Sequence, residues 1–283
     1  MRDLRCLISV SAALLVVAGC APSSDDERPS EIGSAMADLG HVHAIDTDPA
    51  DGTLYLATHH GVFALGDGGS VERIAGRWQD TMAFSIVGPG RFLASGHPDL
   101  RERDRPTHLG LVESTDNAQT WQPLSLYGEA DFHALDTSDE WIFGYESRTG
   151  TLSASDDDAQ TWVDLATDEL VDLAAVPDEP GAVLATRPDG TIHRYEASSR
   201  KPEPISGAPN IVLLDWPDPA LLVGVTPDGD VHHSADQGRT WRVAGSVPGT
   251  PQGIHVSSQR WYIATDKGLF TSGELGDRWE QIL

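Results

Sequence analysis

Cysteine is nearly missing from this chain of 283 residues: there are two, Cys6 and Cys20, both close to the N-terminus. A domain built from the residues after them holds no disulfide, no cysteine nucleophile and no thiolate metal site. Positive charge is scarce as well, with 19 Lys and Arg against 44 Asp and Glu, a formal net charge of −25. With no basic track to meet phosphates, nucleic acid is excluded as a partner. The chain also lacks a Gly-x-Ser-x-Gly elbow, a P-loop and a His-Glu-x-x-His helix, so three common enzymatic signatures are absent.

The N-terminus is processing sequence. Met1-Arg2-Asp3-Leu4-Arg5 is a short basic region, and the apolar run Leu7–Val17 is too short for a comfortable membrane span. It ends in Val17-Ala18-Gly19-Cys20, which resembles the lipobox of bacterial lipoproteins. That resemblance implies a signal peptide over residues 1–19 and lipidation of Cys20, which would anchor an exported protein to the extracytoplasmic face of the cell membrane. Residues 20–38 then form a tether, rich in Ser, Asp, Glu and Pro and disordered by composition. Removing residues 1–19 takes away two arginines and one aspartate, leaving 17 basic against 43 acidic residues and a net charge of −26.

The remainder, residues 39–283, is organised by a repeated turn. In Ser234-Ala235-Asp236-Gln237-Gly238-Arg239-Thr240-Trp241, Asp236 can accept hydrogen bonds from turn amides, Gly238 supplies a positive-φ position and Trp241 opens the return strand. Ser114–Trp121 and Ser155–Trp162 repeat the pattern with Ala in place of Gly, and Ser272–Trp279 is a worn copy. The tryptophans at 121, 162, 241 and 279 are 41, 79 and 38 residues apart, so one unit within the long gap has lost its turn. A period near 40 residues with four short strands per unit predicts an all-β, six-bladed β-propeller, the repeated turns joining strands C and D of a blade. The pattern resembles the Asp-box, or BNR repeat, of sialidase-type propellers. More closely, the chain is similar to a group of bacterial lipoproteins filed as glycosylhydrolase-like.

In a propeller the innermost A strands line a central channel, and the D-to-A and B-to-C connections share one face. The turns between C and D lie on the other face and are scaffold. Aligning His41-Val42-His43-Ala44-Ile45 of blade 1 with Asp131-Phe132-His133-Ala134-Leu135 of blade 3 makes His43 equivalent to His133, and His41 to Asp131. His255 in blade 6 is expected at that same position. His97 and Asp99 open the long B-to-C loop of blade 2, which also carries His108, and His59 and His60 form the B-to-C turn of blade 1. His41, His43, His97, Asp99, Asp131, His133 and His255 are therefore expected to converge on one end of the channel. Imidazoles with carboxylates and no thiols suit a transition metal such as zinc or copper.

The sialidase resemblance implies a catalytic arginine in an aromatic-Arg-Ile-Pro motif and a Tyr/Glu pair. Arg73-Ile74-Ala75 lacks the aromatic and the proline, and Tyr145 and Glu146, adjacent on one strand, point to opposite faces. Three readings remain open: a binding module for a metal or small polar ligand, a glycoside hydrolase using two of Asp80, Asp99 and Asp131, and a platform for an envelope-protein partner. A glycan or other small molecule is the expected ligand of the first two.

Overall fold

The computed structural model describes residues 36–283 except 139, 140 and 275. The expected signal peptide, Cys20 and most of the expected tether lie outside the described residues. No helix among the described residues is long and apolar enough to cross a membrane.

The chain folds into six antiparallel sheets of four strands, each sheet made of consecutive strands. The A strands are Val42–Thr47, Asp80–Gly88, Phe132–Ser138, Leu173–Ala175, Leu213–Asp218 and Pro251–Val256. The outermost strands are short; those of blades 4 and 6 are Glu203–Pro204 and Glu280–Gln281. This is the six-bladed propeller that the repeat predicts, with blade 4 the unit inside the 79-residue gap that lacks the turn, as blade 1 also does.

Three of the C-to-D turns share one hydrogen-bond network. The Ser114 hydroxyl donates to Asp116 at 2.8 Å and accepts the Ala118 amide at 2.9 Å, while Asp116 accepts the Thr120 amide at 2.8 Å. Ser155 and Asp157, and Ser234 and Asp236, repeat it. Two successive residues in each turn are left-handed: Asn117 and Ala118, Asp158 and Ala159, Gln237 and Gly238. Only the last is glycine. Alanine tolerates this costly conformation because its amide is captured by the serine while its methyl is buried against the blade.

The sheets pack face to face, and an apolar cluster fills each of the six gaps between blades. Between blades 1 and 2, for example, Tyr55, Ala57 and Val62 meet Phe84, Phe92 and Trp121. Between blades 6 and 1, Ala264, Leu269 and Leu283 meet Leu39, Val42 and Leu56.

The ring closes without strand exchange among the described residues. A second set of links lies at the channel wall, one per junction. Asp46 accepts the Ile86 amide at 2.7 Å, Asp136 that of Ala175 at 2.7 Å, Asp172 that of Leu214 at 2.8 Å and Asp215 that of Val256 at 2.6 Å. Ser85 meets the Thr137 hydroxyl at 3.3 Å, and His255 completes the circle on the Thr47 hydroxyl at 2.9 Å. Each blade thus reaches from its A strand to the A strand of the next. These side chains line a cavity of about 340 Å³ in the channel.

Candidate functional site

Strand A of blade 1 pairs Val42 with Thr58 and then Ala44 with Ala57, so His43 is the extra residue of a bulge. Blade 3 repeats this: Phe132 pairs with Glu146 and Ala134 with Tyr145, leaving His133 as the extra residue. A bulge re-aims the inserted side chain, and here it turns both imidazoles toward the channel mouth. In blade 6 the bulge lies between Pro251 and Gly253, so the counterpart of His43 is Gln252, not His255. The expected equivalence of His255 is off by three residues. Its cross-strand partner is Tyr262, as that of Asp46 is Tyr55, which puts His255 at the level of the aspartates, deeper in the channel. There its Nδ1 faces Asp46 at 3.3 Å and its Nε2 faces the Thr47 hydroxyl, so both nitrogens are engaged. Burial lowers its pKa to about 4.

Two groups with metal-ligand spacing form at the mouth, His43 with His59 and Asp80, and His97 with Asp131 and His133. In the first, Nε2 of His43 lies 3.1 Å from Nδ1 of His59 and 3.7 Å from Oδ1 of Asp80, and the last two atoms are 2.8 Å apart. The corners of that triangle are all about 1.9 Å from a single point, close to the length of a zinc–nitrogen or zinc–oxygen bond. His43, His59 and Asp80 would hold such an ion, which would supply Lewis-acid chemistry to a group bound beside it. The His41 ring stands 4.7 Å from that of His43 and 5.6 Å from that of His59. Burial, followed by the neighbouring imidazoles of His59, His41, His133 and His97, lowers the His43 pKa to about 3, so its lone pair is available at neutral pH.

The second group is centred on Asp131, whose side chain is 6% exposed. His133 Nε2 approaches it at 3.2 Å, His108 Nδ1 at 3.5 Å and His97 Nε2 at 3.8 Å. Burial pushes the Asp131 pKa up, but the hydrogen bond from His133 and the surrounding imidazoles outweigh it and hold the carboxyl below its ordinary value.

Asp99 does not join either group. It is buried in the blade 2 loop, clasped by the Arg101 guanidinium and by the Trp78 amide at 3.0 Å, which keeps it ionised and occupied. The loop it anchors walls a pocket of about 700 Å³ that shares His59, Asp80 and His97 with the two groups. Trp78 is 48% exposed there and Leu100 93% exposed. Tyr145 and Glu146 diverge as expected: Tyr145 donates to the Asp168 carbonyl at 3.2 Å, while Glu146 binds Arg148 at 2.8 Å.

Of the residues expected to converge, His41, His43, His97, Asp131 and His133 do; Asp99 and His255 do not. His59 and Asp80 complete the first group. Their adjacent turn and strand positions were visible in the sequence, but their meeting depends on the angle between blades 1 and 2.

No protein-family model matches the chain, and no curated protein matches it in sequence. Among solved structures, it is similar to a gluconolactonase from Xanthomonas campestris, with a TM-score of 0.65 and 13% identity over 84% of this chain and 87% of that one. It is also similar to the GH74 enzyme of Niastella koreensis, with a TM-score of 0.62 and 13% identity over 86% of this chain and 45% of that one. YCF48 bound to a D1 peptide matches with a TM-score of 0.54 and 14% identity over 86% of this chain and 82% of that one. All three likenesses are of β-propeller architecture.

Proposed function

We propose that this is an exported, lipid-anchored propeller that binds a transition metal ion, zinc or copper, at the mouth of its channel. The observation that carries the reading is the triangle of His43, His59 and Asp80, with three ligand atoms around one point at bonding distance. The chemistry of the donors, imidazole with carboxylate, selects these metals over calcium and magnesium. The lipobox-like Val17–Cys20 supports the placement outside the cytoplasm. Tag-free chain exposed to zinc or copper(II) and then desalted is expected to retain at least one ion, measured by elemental mass spectrometry. The His43→Ala/His59→Ala double variant is expected to carry one ion fewer. A wild-type chain that retains no metal, or a variant with unchanged content, overturns the reading.

A second reading, a metal-assisted hydrolase, is favoured by the pocket of about 700 Å³ that His59 and Asp80 line, because it has room for a substrate beside an ion they would hold. Two of the similar structures are, by their descriptions, a gluconolactonase and a GH74 enzyme. Zinc-loaded chain is expected to hydrolyse a sugar lactone or an aryl glycoside faster than chain stripped by chelator. Equal rates, both at background, across a panel of these substrates remove this reading while leaving metal binding intact.

A further inference from the structure

The first group leaves the chemistry of Asp131 unexplained. Oδ1 of Asp131 and Nδ1 of His108 are both buried without a hydrogen-bond partner. A buried carboxylate oxygen without a partner is costly, and native proteins leave few such atoms. Three imidazoles surround this one carboxylate, from three different segments: His97 at the end of strand B of blade 2, His108 in the loop after it, and His133 at the bulge of blade 3. His97 is also set for ligation. Its Nδ1 donates to the Thr107 carbonyl at 2.9 Å, which leaves Nε2 as the lone-pair nitrogen and aims it at the Asp131 side. Anchoring the far ring nitrogen on a carbonyl is how metal-binding histidines are oriented.

From this geometry we infer that the mouth holds two metal ions, the second bound by His97, Asp131 and His133, with His108 as a further donor. The inference rests on the metal reading of the first group and extends it. The two ions would be neighbours, because Asp80 of the first group and His97 of the second are directly paired across strands A and B of blade 2. Such pairs place their α-carbons about 4.5–5.5 Å apart. The two groups share no ligand, so each has its own complement of three and each can be emptied separately. Between them they face the same pocket, which touches Asp80 and His59 from one group and His97 from the other. A small anionic or hydroxylated ligand entering there would meet both ions.

The test is the zinc and copper(II) stoichiometry of the full-length chain, titrated from a chelator-stripped state in detergent. Wild type is expected to bind two ions. His43→Ala/His59→Ala is expected to bind one, Asp131→Asn/His133→Gln one, and the four-fold variant none, with folding verified by circular dichroism. If the Asp131 variant fails to fold, the half-buried His97 supplies the alternative: H97Q is expected to weaken one of the two binding events at least tenfold and leave the other unchanged. A wild-type stoichiometry of one overturns the two-ion inference, and a second ion that survives both Asp131→Asn/His133→Gln and H97Q overturns the second site. A single ion lost only in the His43/His59 variant would overturn this inference and leave the first site standing. No ion at all would overturn both.

Discussion

Zinc at a thousandfold excess over its dissociation constant is expected to stabilise the folded chain by about 4 kcal/mol for a single ion. For a chain of this size that corresponds to a rise in Tm of roughly 8–16 °C, reversed by chelator. The size of the effect follows from the parts the ion would join. His43 lies on strand A of blade 1, His59 on the turn after its strand B, and Asp80 at the start of blade 2. The three ligands are 16 and 21 residues apart in sequence, so the folded chain assembles a site that the unfolded chain, binding only through His41-Val42-His43 or His59-His60, matches less well. Scanning calorimetry with and without zinc measures it. The His43→Ala/His59→Ala variant should lose the part of the shift due to the first ion. An unchanged Tm at millimolar zinc would contradict metal binding at the mouth.

The second large effect concerns the channel wall, whose buried aspartates are expected to contribute less to stability at pH 8 than at pH 4–5. Burial raises the pKa of Asp46 and Asp172 to about 7 and of Asp136 to about 6, and raises Asp215 strongly with help from the Asp136 charge. In the unfolded chain these carboxyls lose their protons near pH 4. Between that pH and about 7 the folded state therefore binds more protons than the unfolded state. The stability these four carboxyls contribute falls as pH rises through this window, opposed up to about pH 6.5 by His43 and His255, whose lowered pKa values act in the other direction. Each unit of displacement corresponds to about 1.4 kcal/mol, so several kcal/mol in total separate the two ends.

Asp215 isolates the cause, because its Oδ2 accepts the Val256 amide while no hydrogen bond among the described residues engages its other oxygen. Asp215→Asn keeps the acceptor and removes the charge. It is expected to raise Tm by several degrees at pH 8 and to leave it unchanged at pH 4. Asp215→Ala, by contrast, orphans the Val256 amide and should cost about 1–3 kcal/mol at acid pH. A Tm for Asp215→Asn that matches wild type at both pH values would show that the carboxylate is ionised there without penalty.

The architecture was legible because its signal is local. A turn built on Ser, Asp, Thr and Trp can be recognised wherever it occurs, and four copies fix the period although blades 1 and 4 have none. His43 and His133 were legible as equivalents for a similar reason, since two strands that share the His-Ala-x-Asp-Thr pattern bulge at the same place. His255 was misplaced because Gly253-Ile254-His255-Val256 resembles the earlier strands in composition but not in position. Register against strand B settles its height, and register is a property of the paired strands. Asp99 looked like a ligand until its neighbours in space, Arg101 and the Trp78 amide, were known. The pairing of His59 with Asp80 depends on how one sheet leans against the next, which no single strand encodes.

The two groups at the mouth straddle different seams of the ring. His43 and His59 belong to blade 1 and Asp80 to blade 2; His97 and His108 belong to blade 2 and Asp131 and His133 lie at the start of blade 3. A pair of bound ions would therefore act as rivets on either flank of one blade. The seam between blades 2 and 3 is also the one whose channel-wall link joins two hydroxyls, without a carboxylate or an imidazole. Blade 2 carries the pocket loop, so the rivets would hold in place the segment that faces the ligand. Loading should then slow the rate at which that blade peels from its neighbours, seen as slower amide exchange along Asp80–His97, while the blades opposite keep the exchange rates of the empty protein.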